Sequence, residues 1–465
     1  MTKKIYAAPS IERKIAGAPD KFASGITQFQ DEIEGIPTKK LIEKYGSPLF
    51  VFSEKVMRRK YKEAFREVSL QYPNVKFAWS YKTNYLEAIC AIFHQEGAWA
   101  EVVSGMEYER ARLLGMPGKK IIFNGPGKTR EQLSQAIQDG AMINIDHLDE
   151  LFLLEEAVKK TGKNPSVGIR VNMDTGIQPL WSRFGFNFEN GEAYRAIQRL
   201  VIGKKLKLTS LHTHIGTFIL EPNAYYIAAS KLLNLAEGIK SDFNIIIQSI
   251  DLGGGFASTN TLNEQYLSGD IATPDFSRYA ESIGKAFDES LFCRKHRPTL
   301  FLETGRALVD EAGYLITSVI GKKTLVDGQR ALIIDAGVNL LYTSTWYKHK
   351  FIPAQPITGS SENTTIYGPL CMNIDVMRPS LRFPDLKVSD QIIITPVGAY
   401  NVTQWMQFIT YRPNVVLISA DGKLEIIRER ESLKDMIGKE KIPKHLNPAL
   451  LRARANLSKS ASDTK

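Results

Sequence analysis

Cysteine is scarce: Cys90, Cys293 and Cys371 are the only three in 465 residues. They are odd in number and scattered, which excludes a disulfide framework and points to a reducing, cytoplasmic setting. Long apolar runs are also missing. Although 43% of the residues are hydrophobic, no uninterrupted stretch reaches membrane-spanning length, so no membrane partner is expected. The opening Met1-Thr2-Lys3-Lys4-Ile5-Tyr6 is basic but lacks the apolar core of a secretion signal. A concentrated basic stripe with interleaved aromatics is absent too. The 60 lysines and arginines against 50 acidic residues give a net +10 that is spread along the chain. That distribution argues against a nucleic-acid partner and for a solvated surface. There is no internal repeat and no long low-complexity linker.

What is present has two characters. From about residue 47, short β-rich runs alternate with helical apolar spacing. The runs are Lys76–Tyr81, Trp99–Val103, Lys120–Asn124, Ala141–Ile145, Ser166–Asn172, Lys207–His214, Ile245–Leu252 and Thr299–Glu303. Eight strands, each with a crossover, predict a parallel (β/α)8 barrel over 47–310. Beyond it, β-branched runs such as Gly313–Ile320, Ala331–Ile334 and Gln391–Pro396 are separated by turns rather than helices. They predict a mostly antiparallel β domain over 311–440. Residues 1–46 hold one short helical pattern near Thr38–Tyr45 and are expected to pack with that β domain. Residues 441–465 read as a basic, partly disordered tail.

The chemistry-bearing residues fall at strand ends. Lys82 closes the first barrel strand, His212 and His214 the sixth, Gly253-Gly254-Gly255 the seventh and Glu303 the eighth, with Arg306 three residues on. Singly, each has an ordinary explanation. A lysine is usually solvated, a histidine is often a satisfied core residue (our preference for His212), and three glycines can be only a tight turn. A Glu–Arg pair is often a surface ion pair worth about 0–1 kcal/mol. A barrel, however, gathers the C-terminal ends of its strands on one rim. A lysine for a Schiff base, an aromatic-sized histidine, a backbone anion cradle and a carboxylate–guanidinium pair are the parts that pyridoxal 5'-phosphate (PLP) chemistry needs.

These motifs resemble those of the fold-type III PLP decarboxylases, and the diaminopimelate branch more than the ornithine branch. The likeness runs from Gly46-Ser47-Pro48-Leu49-Phe50-Val51-Phe52 to about Ile418, and Trp181-Ser182-Arg183-Phe184-Gly185 is of the diaminopimelate type. The resemblance implies an alanine-racemase-like barrel and a decarboxylase of amino acids. Lys82, in Tyr81-Lys82-Thr83-Asn84, takes the place of the Schiff-base lysine. His214 takes that of the ring-stacking histidine. Thr217, Gly253, Gly254, Gly255, Arg306 and Tyr400 correspond to phosphate ligands, and Glu303 to the partner of the pyridine nitrogen. Cys371, in Gly368-Pro369-Leu370-Cys371, matches a proton-donating cysteine that the family supplies across a homodimer interface, so the active sites would be shared. Asp375, Tyr342 and Met372 are the candidate substrate contacts.

Two departures bear on the substrate. Met372-Asn373 stands where the branch has Glu-Ser after the cysteine, and no arginine occurs in Leu340–Tyr347, where the branch grips a distal carboxylate. A buried carboxylate without a cation is costly. A lysine- or ornithine-like substrate of either hand, or a specialised amino-acid derivative, is therefore expected ahead of meso-diaminopimelate. A true diaminopimelate decarboxylase stays open. A racemase of the same fold, which pairs the ring nitrogen with arginine, fits Glu303 poorly. An inactive PLP-binding homologue fits poorly with the presence of both Lys82 and Cys371.

Overall fold

The computed structural model describes residues 28–357, 360–443 and 445–446. Residues 1–27 and most of the 441–465 tail lie outside that range. The described N-terminal part forms β1 (Glu32–Ile33), β2 (Ile36–Pro37) and α1 (Thr38–Tyr45). Ile33, Leu41 and Tyr45 bury themselves in a small apolar cluster with Val51, Ile316, Ile393 and Val416, all from one β sheet. Burial of that stripe ties the segment to the sheet, since an eight-residue helix is marginal alone.

The segment β3 (Leu49–Ser53) corrects one sequence boundary. It is buried along its whole length and pairs with strands that lie more than 250 residues downstream, not with the barrel. A five-residue apolar run buried on both faces carries no local mark of which sheet it will join. Ser53 then caps α2 (Glu54–Gln71) by accepting from the Val56 N–H, and the helix leads into the barrel.

Eight parallel strands close the barrel: β4 (Val75–Ser80), β5 (Trp99–Val102), β6 (Ile121–Phe123), β7 (Met142–Ile145), β8 (Ser166–Asn172), then, after the two-residue β9 (Phe186–Asn187), β10 (Lys207–His212), β11 (Ser249–Asp251) and β12 (Thr299–Thr304). β12 returns to pair with β4, and β8 pairs directly with β10. Each of the eight predicted runs overlaps one of these strands, with β4 starting one residue earlier and β12 ending one residue later than expected. The strands are nearly continuous apolar sequence because helices cover the outer face. Trp79 stacks on Phe93 at 3.9 Å between ring centres, part of a continuous buried core.

The second unit is a mostly antiparallel sheet built on β13 (Gly313–Thr324). Around it lie β14 (Arg330–Ile334), β15 (Lys350–Pro353), β16 (Glu362–Tyr367), β17 (Val376–Phe383), β18 (Gln391–Thr395), β19 (Val415–Ile418) and β20 (Leu424–Arg428), with β3 between β13 and β19. Only the β14–β16 and β3–β19 pairings are parallel. Among the described residues, no helix is long and apolar enough to cross a membrane.

Candidate active site

The barrel rim opens into a cavity of about 840 Å³, walled on the far side by residues of the β domain. At its floor, Lys82 sits in the turn that ends β4. Its Nζ donates to Glu101 Oε2 at 2.5 Å. Glu101 lies on β5, in register with Ser80, whose hydroxyl donates to the same oxygen at 2.5 Å. Burial by itself disfavours the ammonium, but Glu101, Glu303 and Tyr400 outweigh it, and the lysine is held above its ordinary range.

Asn124, just past β6, is a wedge between two carboxylates. Its Nδ2 donates to Glu101 Oε1 at 3.0 Å and also to Glu303 Oε1, and its Oδ1 accepts from Asn144 at 2.9 Å. Glu303 ends β12 beside His212 and Asp251, and the polar atoms of these three buried groups lie within 4.8 Å of one another. Burial would raise the Glu303 carboxyl, yet His212, Lys82 and His214 hold it below the usual range. Asp251 is pushed the other way, upward, by burial and by Glu303. Both ring nitrogens of His212 and Asp251 Oδ2 lack hydrogen-bond partners. The expectation of a satisfied core histidine at 212 is thus corrected: its Nε2 stands 3.5 Å from Glu303 Oε1, facing the cavity.

Above them, the Gly254 N–H donates to His214 Nδ1 at 3.1 Å, which fixes the neutral ring with its proton on Nε2. Burial, with Lys82 and Arg170 nearby, lowers this histidine to about 3. The glycines are required by close approach. A Cβ on Gly253 would meet the Thr213 carbonyl at 2.6 Å, and one on Gly255 the Gly216 carbonyl at 2.5 Å. One on Gly254 would overlap the Glu303 carbonyl oxygen. Arg306 is buried at the opposite wall. Its guanidinium donates to Thr217 Oγ1 at 3.2 Å and to the Tyr347 hydroxyl, and it lies over the Tyr400 ring at 4.7 Å. Tyr400 itself has φ of +64°, a left-handed backbone that turns its ring into the cavity.

These residues fit PLP. The Arg306 fork, with the side-chain-free wall at Gly254 and Gly255, leaves room and charge for an anion, an ionised carboxylate lines the same cavity, and so does a lysine. The orphaned buried polar atoms of His212 and Asp251 sit where a polar ring edge would meet them.

The other predicted residues are placed apart. Cys371 is exposed on the turn between β16 and β17 and does not line this chain's own cavity. Met372 beside it is half-buried against the core. Asp375 is turned inward: its Oδ1 accepts from the Val338 N–H at 2.8 Å and its Oδ2 from the Leu370 N–H at 2.7 Å. Within its own chain it braces the cysteine-bearing loop. Tyr342 packs edge-on against Trp346 at 5.5 Å, outside the cavity wall. Glu101, Asn124, Asp251 and Tyr347 carry no motif of their own. Only the strand-end position of Asn124 could have flagged it.

A barrel enzyme with a lysine, an anion cradle and a carboxylate at the strand ends is the class that fold and site define. A sequence profile described as pyridoxal-dependent decarboxylase, pyridoxal binding domain, matches residues 58–310. Diaminopimelate decarboxylase of Methanocaldococcus jannaschii is 31% identical over 437 residues, covering 89% of this chain and 95% of that protein. The enzyme of the same name from Methanothermobacter thermautotrophicus is 28% identical over 426 residues, covering 89% and 96%. A crystal structure of the M. jannaschii enzyme with L-lysine superimposes with a TM-score of 0.81 at 29% identity, covering 91% of this chain and 99% of that one. The chain belongs to the fold-type III pyridoxal-dependent decarboxylases, on the diaminopimelate decarboxylase branch. It is a PLP-dependent amino-acid decarboxylase.

Proposed function

We propose that this decarboxylase removes the α-carboxylate of a diamino acid, or a related derivative, that carries no distal carboxylate, and that it works as a homodimer with shared active sites. The observation that carries the substrate reading is the commitment of the cavity's arginines. Arg170 is paired with Asp146 at 3.2 Å and lies on Phe184, and Arg306 is engaged at the anion cradle. Neither is free to neutralise a second substrate carboxylate, and Leu340–Tyr347 supplies no other.

PLP, when bound, supplies the electron sink for the pair released as carbon dioxide leaves. Lys82 would be its covalent anchor, and Glu101 would take up the ammonium whenever a substrate amine displaces the lysine. Arg306, Thr217 and Tyr400 would hold the phosphate against the glycine wall of Gly253–Gly255, in which the Gly253 and Gly254 N–H groups already donate to Asp251 Oδ1 and His214 Nδ1. Glu303, kept ionised by its neighbours, would hold a proton on the ring nitrogen. His214, neutral, would press on the ring face and restrain its tilt. Cys371 from a second copy would protonate the α-carbon after carbon dioxide loss; an exposed thiol on a braced loop is available for such an exchange.

The test is carbon dioxide release from L- and D-lysine, L- and D-ornithine and meso-diaminopimelate. Turnover confined to meso-diaminopimelate would reject the substrate reading. Shared sites are tested by mixing inactive Lys82→Ala and Cys371→Ala subunits. Each heterodimer holds one intact site, so random exchange at equal amounts should restore about one quarter of wild-type activity. Exchange with no recovered activity would reject Cys371 as a donor in trans.

A further inference from the structure

Most charged side chains on the cavity wall are already engaged. Lys82 pairs with Glu101, Arg170 with Asp146, Arg306 with Thr217 and Tyr347, and Glu303 with Asn124 and His212. Glu264 is the exception. It lines the cavity at its exposed rim, and among the described residues its carboxylate has no hydrogen-bond or ion-pair partner.

Its backbone is not a loose loop. The Asn263 N–H donates to the Trp346 carbonyl at 2.8 Å, the Lys348 N–H to the Thr261 carbonyl at 2.8 Å, and Asn263 Nδ2 to the Thr345 carbonyl at 2.8 Å. Leu262 bridges Tyr347, so a strip of the barrel is stitched to the β domain across the mouth. Gln265 closes the turn by accepting from the Leu262 N–H at 3.1 Å, and its own carbonyl accepts from Lys348 Nζ at 3.2 Å. That contact directs the neighbouring ammonium to a carbonyl instead of to Glu264. Glu264 is thus carried by a fixed support that is bonded to the Trp346–Tyr347 backbone, and both aromatic residues line the same cavity.

We propose that Glu264 is the specificity-determining residue of this site: it receives the distal ammonium of a diamino-acid substrate whose α-carbon is held at the Lys82 floor. An unpaired carboxylate with aromatic walls offers a cation both an opposite charge and ring faces. A second carboxylate on the substrate would meet repulsion at the same place. The proposal rests on the substrate reading above and adds the residue that enforces it.

The experiment uses the holoenzyme with L-lysine and with L-norleucine, which has the same length but no distal ammonium. Glu264→Gln should raise KM for lysine roughly tenfold, as for loss of one charge-assisted contact at an accessible rim, with kcat little changed. Values for norleucine should not move. Binding of cadaverine, measured by calorimetry with and without cofactor, should weaken in parallel and lose its dependence on salt. If wild type prefers lysine to norleucine but Glu264→Gln leaves both KM and cadaverine affinity unaltered, the role of Glu264 is overturned and the substrate reading survives. If wild type does not discriminate lysine from norleucine, or takes only meso-diaminopimelate, both fall together.

Discussion

Replacing Glu101 by glutamine should make this protein capture its cofactor faster at neutral pH. Lys82 can attack a carbonyl only as the neutral amine, and Glu101 Oε2 at 2.5 Å holds it as the ammonium. At an effective dielectric of about 20, a unit charge at that distance is worth about 7 kcal/mol, an upper bound. The lysine side chain is 34% accessible, so solvent screens much of that. The realistic effect of one adjacent carboxylate is about 1–3 pKa units, or about 1.4–4 kcal/mol. Glutamine still accepts from Ser80 or Lys82 and preserves the packing, while burial then lowers the lysine against the remaining upward pull of Glu303 and Tyr400. Stopped-flow absorbance of cofactor binding to the stripped protein should show the pH–rate profile moved to lower pH by about one to three units. At neutral pH this is a gain of at least severalfold after allowing for the weaker nucleophile. Peptide mapping after amine acylation should show Lys82 becoming reactive over the same shifted range. An unmoved profile in both assays would refute the pairing of Glu101 with the anchoring lysine.

Other perturbations probe other parts of the site. Arg306→Met removes the guanidinium that reaches Thr217 and Tyr347, and should weaken cofactor binding by about 10- to 1,000-fold, read by equilibrium dialysis. Gly254→Ala drives a methyl group into the Glu303 carbonyl oxygen, so both thermal stability and cofactor occupancy should fall, whereas alanine at Gly422, which has open space but φ of +81°, should cost stability alone. Glu107, which accepts from the Val103 N–H at 2.8 Å, is pushed up to about 7 by burial, with Glu101 adding to the effect. The folded state thus binds this proton more tightly than the unfolded chain. Stability should fall as pH rises from about 4.5 to about 7, by about 3 kcal/mol in total, and Glu107→Gln should flatten that slope in urea titrations.

Much of this site was legible in the sequence because parallel strands in a barrel place their C-terminal ends on one rim. Lys82, His214, the Gly253–Gly255 run, Glu303 and Arg306 could be located once eight apolar runs had been found, since strand polarity alone decides which end they occupy. Local sequence also specified α1 and the turn-rich character of the second unit. Tertiary structure decided whatever depends on partners. Leu49–Ser53 is apolar enough for either sheet, and only pairing with β13 and β19 settles its place. Glu101 and Asn124 look like ordinary strand residues until barrel closure sets Ser80 beside Glu101 and brings Asn124 between two carboxylates. His212 and Asp251 acquire their character from burial against Glu303, a neighbour 52 or more residues away in sequence. Residue type and strand order are local and additive, and they can be read from the chain. Register, burial and the sharing of a proton arise from contacts between distant segments, and those exist only after the chain has closed on itself.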